Sequence, residues 1–440
     1  MQRGSDIRKN IDWLTIGIYA ALVICGWIAI YSASYSEAHP SIYDMGMPYG
    51  KQLLWMGICA FVALFTLNIE GEFFNRFSPI IYVVVTVLLV LVLIIGKKVG
   101  GARSWFGIGS FAIQPSEFAK MATSLFLAYF INTSGVKFKS FSNRLQVVLI
   151  VALPAGLILL QPDAGTVLVF LGFIFAMYRE GLSGNILIIG FASIILGVVS
   201  IIMGANVVNY PWFGEQSGIY YVGLGLVFVA FLGFLGVKLL VLPRNRKRNN
   251  LIVALSLAGA LMFSGGVYTG IEQILKPHQK ERIYILFGLE VNNPDADYNI
   301  RHAKAAIGSG GWNGKGILQG PMTRYNFVPE QNTDFIFCTI GEEWGFLGSV
   351  FVLILFTTLI IRLLFLAERQ RSQFSRVYGY CVASILFMHV LINIGMVIGL
   401  APVIGIPLPF FSYGGSSLLG FTLLIFIMLR LDSERFSVFR

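Results

Sequence analysis

Twelve long apolar runs constrain the fold of this chain more than any other feature. A helix needs about 20 apolar residues to cross roughly 30 Å of hydrocarbon. Helical spans are predicted near 13–33, 52–69, 79–95, 115–132, 145–160, 164–178, 185–204, 219–241, 251–270, 335–362, 377–400 and 415–431. The sequence therefore predicts an all-α polytopic membrane protein of about twelve spans, organised as a single integral membrane domain over 1–440.

Composition excludes the main alternatives to a membrane protein. Of 440 residues, 56% are hydrophobic and 12% are charged, whereas an average soluble domain is about a quarter charged. A soluble enzyme, a disordered chain and a secreted disulfide scaffold are thereby excluded. The net charge of +10 fits an excess of lysine and arginine in the cytoplasmic loops, with an anionic lipid or a lipid-linked phosphate as the partner. No nucleic-acid partner is therefore expected. The cysteines form no CxxC pair and HExxH does not occur, so no metal site is predicted.

Basic residues predict the orientation of the spans. Arg3, Arg8 and Lys9 place the N-terminus in the cytoplasm, and an even number of spans returns the C-terminus there. The predicted outer loops nevertheless carry ten cations: Lys97, Lys98, Arg103, Lys276, Lys280, Arg282, Arg301, Lys304, Lys315 and Arg324. Either outside charge is simply tolerated, or these cations bind an anion at the outer face.

Two segments outside the regular spans suggest a binding chamber. The loop 271–334, before the tenth span, contains a glycine-rich stretch over 308–316 that lacks the Walker pattern, so ATP binding is not supported. Flexible backbone beside Lys315 still fits a polyphosphate. The segment 401–417 has three prolines and a Gly-Gly pair, which predicts irregular re-entrant backbone beside a polar chamber.

Several polar residues at the outer level are candidates for that chamber. Glu117 and Lys120 are three apart and share a helix face; they form either a self-neutralising structural pair or, as we favour, part of a site. Asp163 is either a helix cap or a site residue. Arg103 suits a phosphate, and Trp105 either anchors the interface or stacks on a sugar.

Six sequence blocks together resemble one family. They are GARSWFGIGSFAIQPSEFAK (101–120), QPDAGT (161–166), AIGSGGWNGKG (306–316), VPEQNTDFIF (328–337), GEEWGFLG (341–348) and LPFFSYGGSS (408–417). This pattern is similar to the SEDS family (shape, elongation, division and sporulation). The resemblance implies a ten-span core, to which this chain adds an inserted transmembrane hairpin at 219–270.

The resemblance also implies an activity and partners. A SEDS protein is expected to be a peptidoglycan glycosyltransferase that polymerises lipid II at the outer face of the bacterial plasma membrane, here during cell elongation or, alternatively, division. A class B penicillin-binding protein and other elongation-complex membrane proteins are the expected protein partners. No cofactor is firmly implied, and a divalent cation stays an alternative.

One family feature is missing here. The family's essential aspartate would fall on Asn292 or Asn293. Asp295 is therefore the favoured catalytic carboxylate, with Asp297 as the alternative. The substrate-binding candidates are Arg103, Trp105, Glu117, Lys120, Asp163, Arg282, Lys304, Lys315, Asp334, Ser412 and Ser416.

Two other functions stay open at this point. A lipid II flippase would use the same charges, although it needs a continuous polar path, whereas the polar groups here cluster at the outer level. A non-catalytic scaffold for the transpeptidase is favoured by the missing aspartate.

Overall fold

Helices make up almost all of the regular structure, as the apolar runs predict. The computed structural model describes residues 10–37, 39, 41–99, 102–108, 111–134, 140–210, 214–274, 280, 284 and 294–435. Its helices are α1 (Trp13–Ser34), α2 (Pro48–Asn68), α3 (Gly71–Ile95), α4 (Pro115–Ser134), α5 (Phe141–Leu160), α6 (Ala164–Phe170), α7 (Phe173–Arg179), α8 (Gly184–Ala205), α9 (Ile219–Leu240), α10 (Pro243–Thr269), α11 (Pro294–Ser309), α12 (Pro321–Arg324), α13 (Ile336–Glu343), α14 (Gly345–Glu368), α15 (Gln373–Val397) and α16 (Gly415–Ser433).

Two small antiparallel sheets connect helices. Strands β1 (Lys97–Val99), β2 (Ala102–Ile108) and β3 (Phe111–Ile113) form a sheet in that order between α3 and α4. Strands β4 (Val207–Tyr210) and β5 (Gly214–Ser217) form a hairpin between α8 and α9. The sheets account for few residues, so the prediction of an all-α polytopic membrane protein is confirmed.

Ten helices in the described part of the chain are long and apolar enough to cross a membrane. Two further predicted spans do not reach that standard. The 20-residue helix α4 carries the charged pair and other polar side chains, which lower its hydropathy. The sixth predicted span is divided between the short helices α6 and α7. The total of twelve spans therefore stays a prediction.

The tenth predicted span, 335–362, is also divided. Helix α13 ends at Glu343, and α14 begins at Gly345, whose φ is +68°. That backbone conformation favours glycine. A Cβ on Gly345 would also collide with the backbone nitrogen of Gly314. The break thus lets the long loop approach the helix backbone closely.

The chain forms two compact units, each described by itself. One comprises Met1–Leu182 and Asn299–Arg440, and the other comprises Ser183–Tyr298. In the first, 78% of α16 is buried inside the protein, so this helix belongs to the core. In the second, α8, α9 and α10 pack together, and only one to three residues of each are buried, so their apolar side chains mostly face outward.

A belt of ion pairs closes one end of the first unit. It lies where α1 begins and where α7, α14 and α16 end, which is the end predicted to face the cytoplasm. Within the described chain the pairs are Asp12–Arg362, Glu180–Arg376, Arg179–Glu368, Asp432–Arg369, Asp432–Arg435 and Glu434–Arg430. Asp163 and the start of α4 lie toward the other end.

Candidate functional site

The centre of the site is a buried ion pair on α4. The Lys120 Nζ lies 2.7 Å from Glu117 Oε2, and neither side chain is more than 3% exposed. The prediction that the two residues share one helix face is confirmed. Since an unpaired charge is costly to bury, each side chain supplies the countercharge that the other needs.

A third residue, His389 on α15, completes this buried polar cluster. Its Nε2 lies 2.9 Å from Lys120 Nζ, and its Nδ1 lies 3.3 Å from the Pro407 carbonyl oxygen. An ammonium group only donates, so Nε2 accepts and Nδ1 carries the proton that is donated to Pro407. Phe421 lies beneath Lys120, with its ring centroid 4.5 Å from Nζ.

The irregular segment 398–414 is held to α15 by side-chain hydrogen bonds. Asn393, one helical turn beyond His389, donates to the Ile406 carbonyl at 2.7 Å and to the Asp334 carbonyl at 2.8 Å. Irregular backbone at membrane depth has to be satisfied by protein or water. The irregular backbone predicted for 401–417 is confirmed up to Gly414, whereas 415–417 begin α16. The segment is mostly buried over 406–412 and more accessible before that.

Asp163 lies beside the start of α4. It caps α6 by accepting from the Thr166 amide at 3.0 Å, and it also accepts from Gln114 Nε2 at 3.2 Å. The Ser116 Oγ lies 3.5 Å from Asp163 Oδ2. Asp163 is thus a helix cap, in agreement with one of its two interpretations, and it is also joined to the helix that carries Glu117.

Asp334 stands just before α13 and close to the irregular segment. Burial raises its pKa to about 6, and the negative charges of Glu330 and Asp163 add to this shift. A Cβ on Gly405 would lie 3.2 Å from Asp334 Oδ2, so this carboxyl lies against the segment. It can therefore take up or release a proton near neutral pH.

Three further candidates contact the same segment or its flanks. Ser412 donates to the Thr333 carbonyl at 2.6 Å, and Ser416 donates to the Ala112 carbonyl at 2.9 Å. The end of the exposed Lys304 side chain lies directly over Gly399, where a Cβ would collide with it. Ser416 thus lies beside the start of α4, and Lys304 lies beside the end of α15. Ser412 joins the irregular segment to the residue before Asp334.

The glycine-rich stretch has a packing role in this structure. A Cβ on Gly310 or Gly314 would collide with the backbone of residues 341–344. Lys315 Nζ lies 3.0 Å from Glu342 Oε1, and Glu342 also accepts from the Met322 and Thr323 amides at 3.0 and 2.8 Å. The glycines allow two backbones to meet, and Glu342 binds the loop to α13.

An open cavity of about 640 Å³ lies between the end of α1, the start of α2 and residues 324–332. A second cavity of about 220 Å³ adjoins it and is lined by Ser32 and Glu343. Both share Tyr35, Glu37 and Arg324. Neither is lined by the buried polar cluster.

The remaining candidates lie on β2 or have side chains outside the described residues. Arg103 is exposed and Trp105 is partly buried on β2, where Trp105 pairs with Lys97 across the sheet. The backbone of Asp295 and Asp297 forms the start of α11, and their side chains lie outside the described residues, as does Arg282. Among the described residues, no group of three or more His, Cys, Asp or Glu could hold a metal ion.

His389 and Asn393 are not among the site residues predicted from the sequence. The sequence predicts a hydrogen-bonded helix contact for His389, a lone histidine within an apolar run, and its hydrogen bond to Lys120 confirms this. Asn393 carries no functional signal by itself. Their spacing of four places both on one face of α15. Two polar residues four apart within an apolar run are the sequence signal that could have marked both as site candidates.

The comparisons with known proteins decide the family. The family model for FtsW, RodA and SpoVE, described as a cell cycle protein, matches residues 12–217 and 217–436. The chain belongs to the FtsW/RodA/SpoVE family. The resemblance to the SEDS proteins is thereby confirmed, and with ten apolar helices the chain is a multi-pass protein of the bacterial inner membrane.

Relatives of this FtsW/RodA/SpoVE chain match over nearly its full length. The peptidoglycan glycosyltransferase RodA of Treponema pallidum (strain Nichols) is 31% identical, covering 93% of this chain and 94% of the relative. The peptidoglycan glycosyltransferase MrdB of Escherichia coli (strain K12) is 30% identical, covering 94% and 90%. The stage V sporulation protein E of Bacillus subtilis (strain 168) is also 30% identical, covering 93% and 94%.

Solved structures share the fold of the family. A chain of a peptidoglycan synthase complex, studied for its coordination of polymerization and crosslinking, aligns with a TM-score of 0.67 at 24% identity, covering 97% of this chain and 99% of that one. The rod shape determining protein RodA of Thermus thermophilus aligns with a TM-score of 0.59 at 22% identity, covering 97% and 98%.

Proposed function

We propose that this chain is a peptidoglycan glycosyltransferase that polymerises lipid II into β-1,4-linked glycan strands at the outer face of the plasma membrane during cell elongation. The observation that carries the proposal is its similarity, over 93% and 94% of its length, to two proteins named as peptidoglycan glycosyltransferases of the RodA and MrdB type. A division role within the same family is the alternative.

The proposed orientation places both termini in the cytoplasm. The arginine-rich belt formed by pairs such as Glu180–Arg376 and Asp12–Arg362 then lies at the cytoplasmic end. Asp163, Asp334 and the irregular segment lie toward the opposite end, which faces the substrate. The segments 219–270 and 271–334 are, in this proposal, an inserted transmembrane hairpin and a long extracytoplasmic loop.

The proposed reaction forms one glycosidic bond and breaks one bond to pyrophosphate. The 4-hydroxyl oxygen of one lipid II sugar forms a bond to the anomeric carbon of the growing chain, and its proton passes to a carboxylate. The bond from that carbon to the pyrophosphate breaks with inversion, and undecaprenyl pyrophosphate leaves with the electron pair. Nearby arginine and lysine side chains offset the charge that develops on it.

We assign the proton acceptor to Asp295, with Asp297 as the second choice. Both begin α11, the helix that carries Lys304 over Gly399. In this proposal the residues that bind substrate are Arg103, Trp105, Glu117, Lys120, Asp163, Arg282, Lys304, Lys315, Asp334, Ser412 and Ser416. The scheme needs no organic cofactor, and a divalent cation at the pyrophosphate is a separate proposal that chelation would test.

The partner in this proposal is a class B penicillin-binding protein that crosslinks the strands, together with other membrane proteins of the elongation complex. The similarity to a chain of a peptidoglycan synthase complex supports it. A stable complex of the two purified proteins is the expected result.

The test is polymerisation of fluorescent lipid II by the purified full chain with its partner. Glycan ladders are expected from the unaltered chain and from Asp44→Ala, a change to a loop carboxylate outside the proposed site, whereas Asp295→Ala is expected to abolish them. Full activity of Asp295→Ala would move the assignment to Asp297. If no variant and not even the unaltered chain forms polymer, while partner binding is intact, the result would instead support the scaffold function. The asparagines at 292 and 293 favour that function.

A further inference from the structure

The turn between α9 and α10 is strongly basic. Five cations lie within eleven residues: Lys238, Arg244, Arg246, Lys247 and Arg248. No aspartate or glutamate occurs between Glu215 and Glu272, so the two helices bring no countercharge of their own. Within the described part of the chain, none of the five cations lies in an ion pair.

Large apolar side chains are exposed at the same turn. Leu239, Leu240 and Leu242 are 70%, 88% and 72% exposed. Exposed leucines flanked by cations match the boundary of a bilayer, where charged groups meet phosphates and apolar groups meet acyl chains. Helix α9 has 22 residues, which is long enough to place this turn at a membrane surface.

The start of α10 makes the charge pattern unfavourable without an outside anion. Pro243 opens the helix, no acidic residue lies in its first turn, and Arg244 follows directly. Cations near a helix N-terminus are destabilising because the peptide dipoles make that end positive. Arg246 donates from Nε to the Val241 carbonyl at 3.0 Å, which closes the turn and holds this guanidinium beside its neighbours.

We propose that this basic turn binds the phosphate headgroups of anionic phospholipids, with the leucines inserted among the acyl chains. Each cation at an anionic surface changes binding by roughly fivefold. A soluble polyanion such as RNA would use the charges and leave the exposed leucines without a role. The lipid is therefore the occupant that accounts for both features of the turn. The proposal does not depend on the enzymatic activity.

The experiment uses the purified full chain in nanodiscs, where both membrane faces are accessible and the direction of insertion does not affect the result. Enrichment of labelled phosphatidylglycerol around the protein is measured in phosphatidylcholine discs. The variant with Arg244→Gln, Arg246→Gln, Lys247→Gln and Arg248→Gln is expected to lose at least tenfold of the enrichment. The matched variant with Arg244→Lys, Arg246→Lys and Arg248→Lys is expected to retain it.

Two further measurements make the result decisive. Raising the salt concentration is expected to weaken enrichment in the unaltered chain and to have little effect on the glutamine variant. Leu240→Ser with Leu242→Ser is expected to reduce enrichment while the thermal midpoint in phosphatidylcholine is unchanged. Equal enrichment in the glutamine variant and the unaltered chain, or an unaltered chain that prefers soluble RNA to phosphatidylglycerol, would overturn the proposal.

Discussion

His389 accepts a hydrogen bond from Lys120 across 2.9 Å while its other ring nitrogen faces the Pro407 carbonyl at 3.3 Å. One imidazole therefore joins the ion pair on α4 to the irregular segment before α16. We therefore expect the position of Lys120 to depend on this segment as well as on Glu117.

Replacement of His389 tests that dependence. His389→Leu removes the acceptor and is expected to cost about 1.5–3 kcal/mol, the usual worth of a hydrogen bond to a charged group. His389→Gln keeps one acceptor and one donor and is expected to restore most of the loss. The thermal midpoint and the initial rate of lipid II polymerisation are both measured. A leucine variant as active and as stable as the glutamine variant would show that the ring has no positioning role.

The ion pair predicts non-additive effects on stability. Lys120→Met leaves the Glu117 carboxylate buried without its partner, which is expected to cost about 3–5 kcal/mol. Lys120→Met combined with Glu117→Gln is expected to recover most of that loss, because no charge then stays buried. Thermal unfolding of the two single variants, the double variant and the unaltered chain forms the double-mutant cycle. If the double variant recovers stability but not polymerisation, the pair has a role in substrate binding beyond its structural one. Additive effects of the two substitutions on stability would contradict the pairing.

Asp334 predicts a pH dependence of stability. Its pKa is raised from 3.8 to about 6, so ionisation of this carboxyl opposes folding. The stability that the protonated form contributes is complete below about pH 3.8 and is lost as the pH rises through 6. Asp334→Asn is expected to unfold at a higher temperature than the unaltered chain at pH 8, with the gap closing at pH 4. Parallel curves at all pH values would refute the shift.

Glu342 predicts local order in the long loop. Glu342→Ala removes the acceptor for Lys315 and for the Thr323 amide, so residues 315–323 are expected to exchange their amide hydrogens much faster. Lys315→Met removes one of the donors and is expected to have a smaller effect. Hydrogen exchange followed by mass spectrometry compares the two variants. Unchanged protection of the loop in Glu342→Ala would contradict this role.

The backbone conformation at position 345 is expected to require glycine. Gly345→Ala forces a side chain into φ +68° and against Gly314, and is expected to cost about 1–3 kcal/mol. A Cβ on Gly259 in α10 would meet nothing within 4 Å, so Gly259→Ala is the matched control and is expected to leave stability unchanged or raised. Equal thermal midpoints for the two variants would show that the backbone break tolerates a side chain.

Much of the fold follows from local sequence properties. The apolar runs place the spans because a helix that satisfies its own backbone is the stable way to cross hydrocarbon. The spacing of Glu117 and Lys120 already places them on one helix face, and the prolines of 401–417 already exclude regular helix. These conclusions need only residues that are close together in the chain.

Contacts between distant residues could not be derived in this way. His389 is 269 residues from Lys120, and Asn393 is 59 residues from the Asp334 carbonyl that it binds. The glycines near 310 read locally as a flexible phosphate loop, yet they meet the backbone of 341–344. Helix periodicity states which face of a helix is polar, whereas packing decides which partner that face meets. The sequence alone determines the helices and the family. Tertiary packing decides how the polar groups of these helices pair, because a buried charge takes its partner from whatever the fold places next to it.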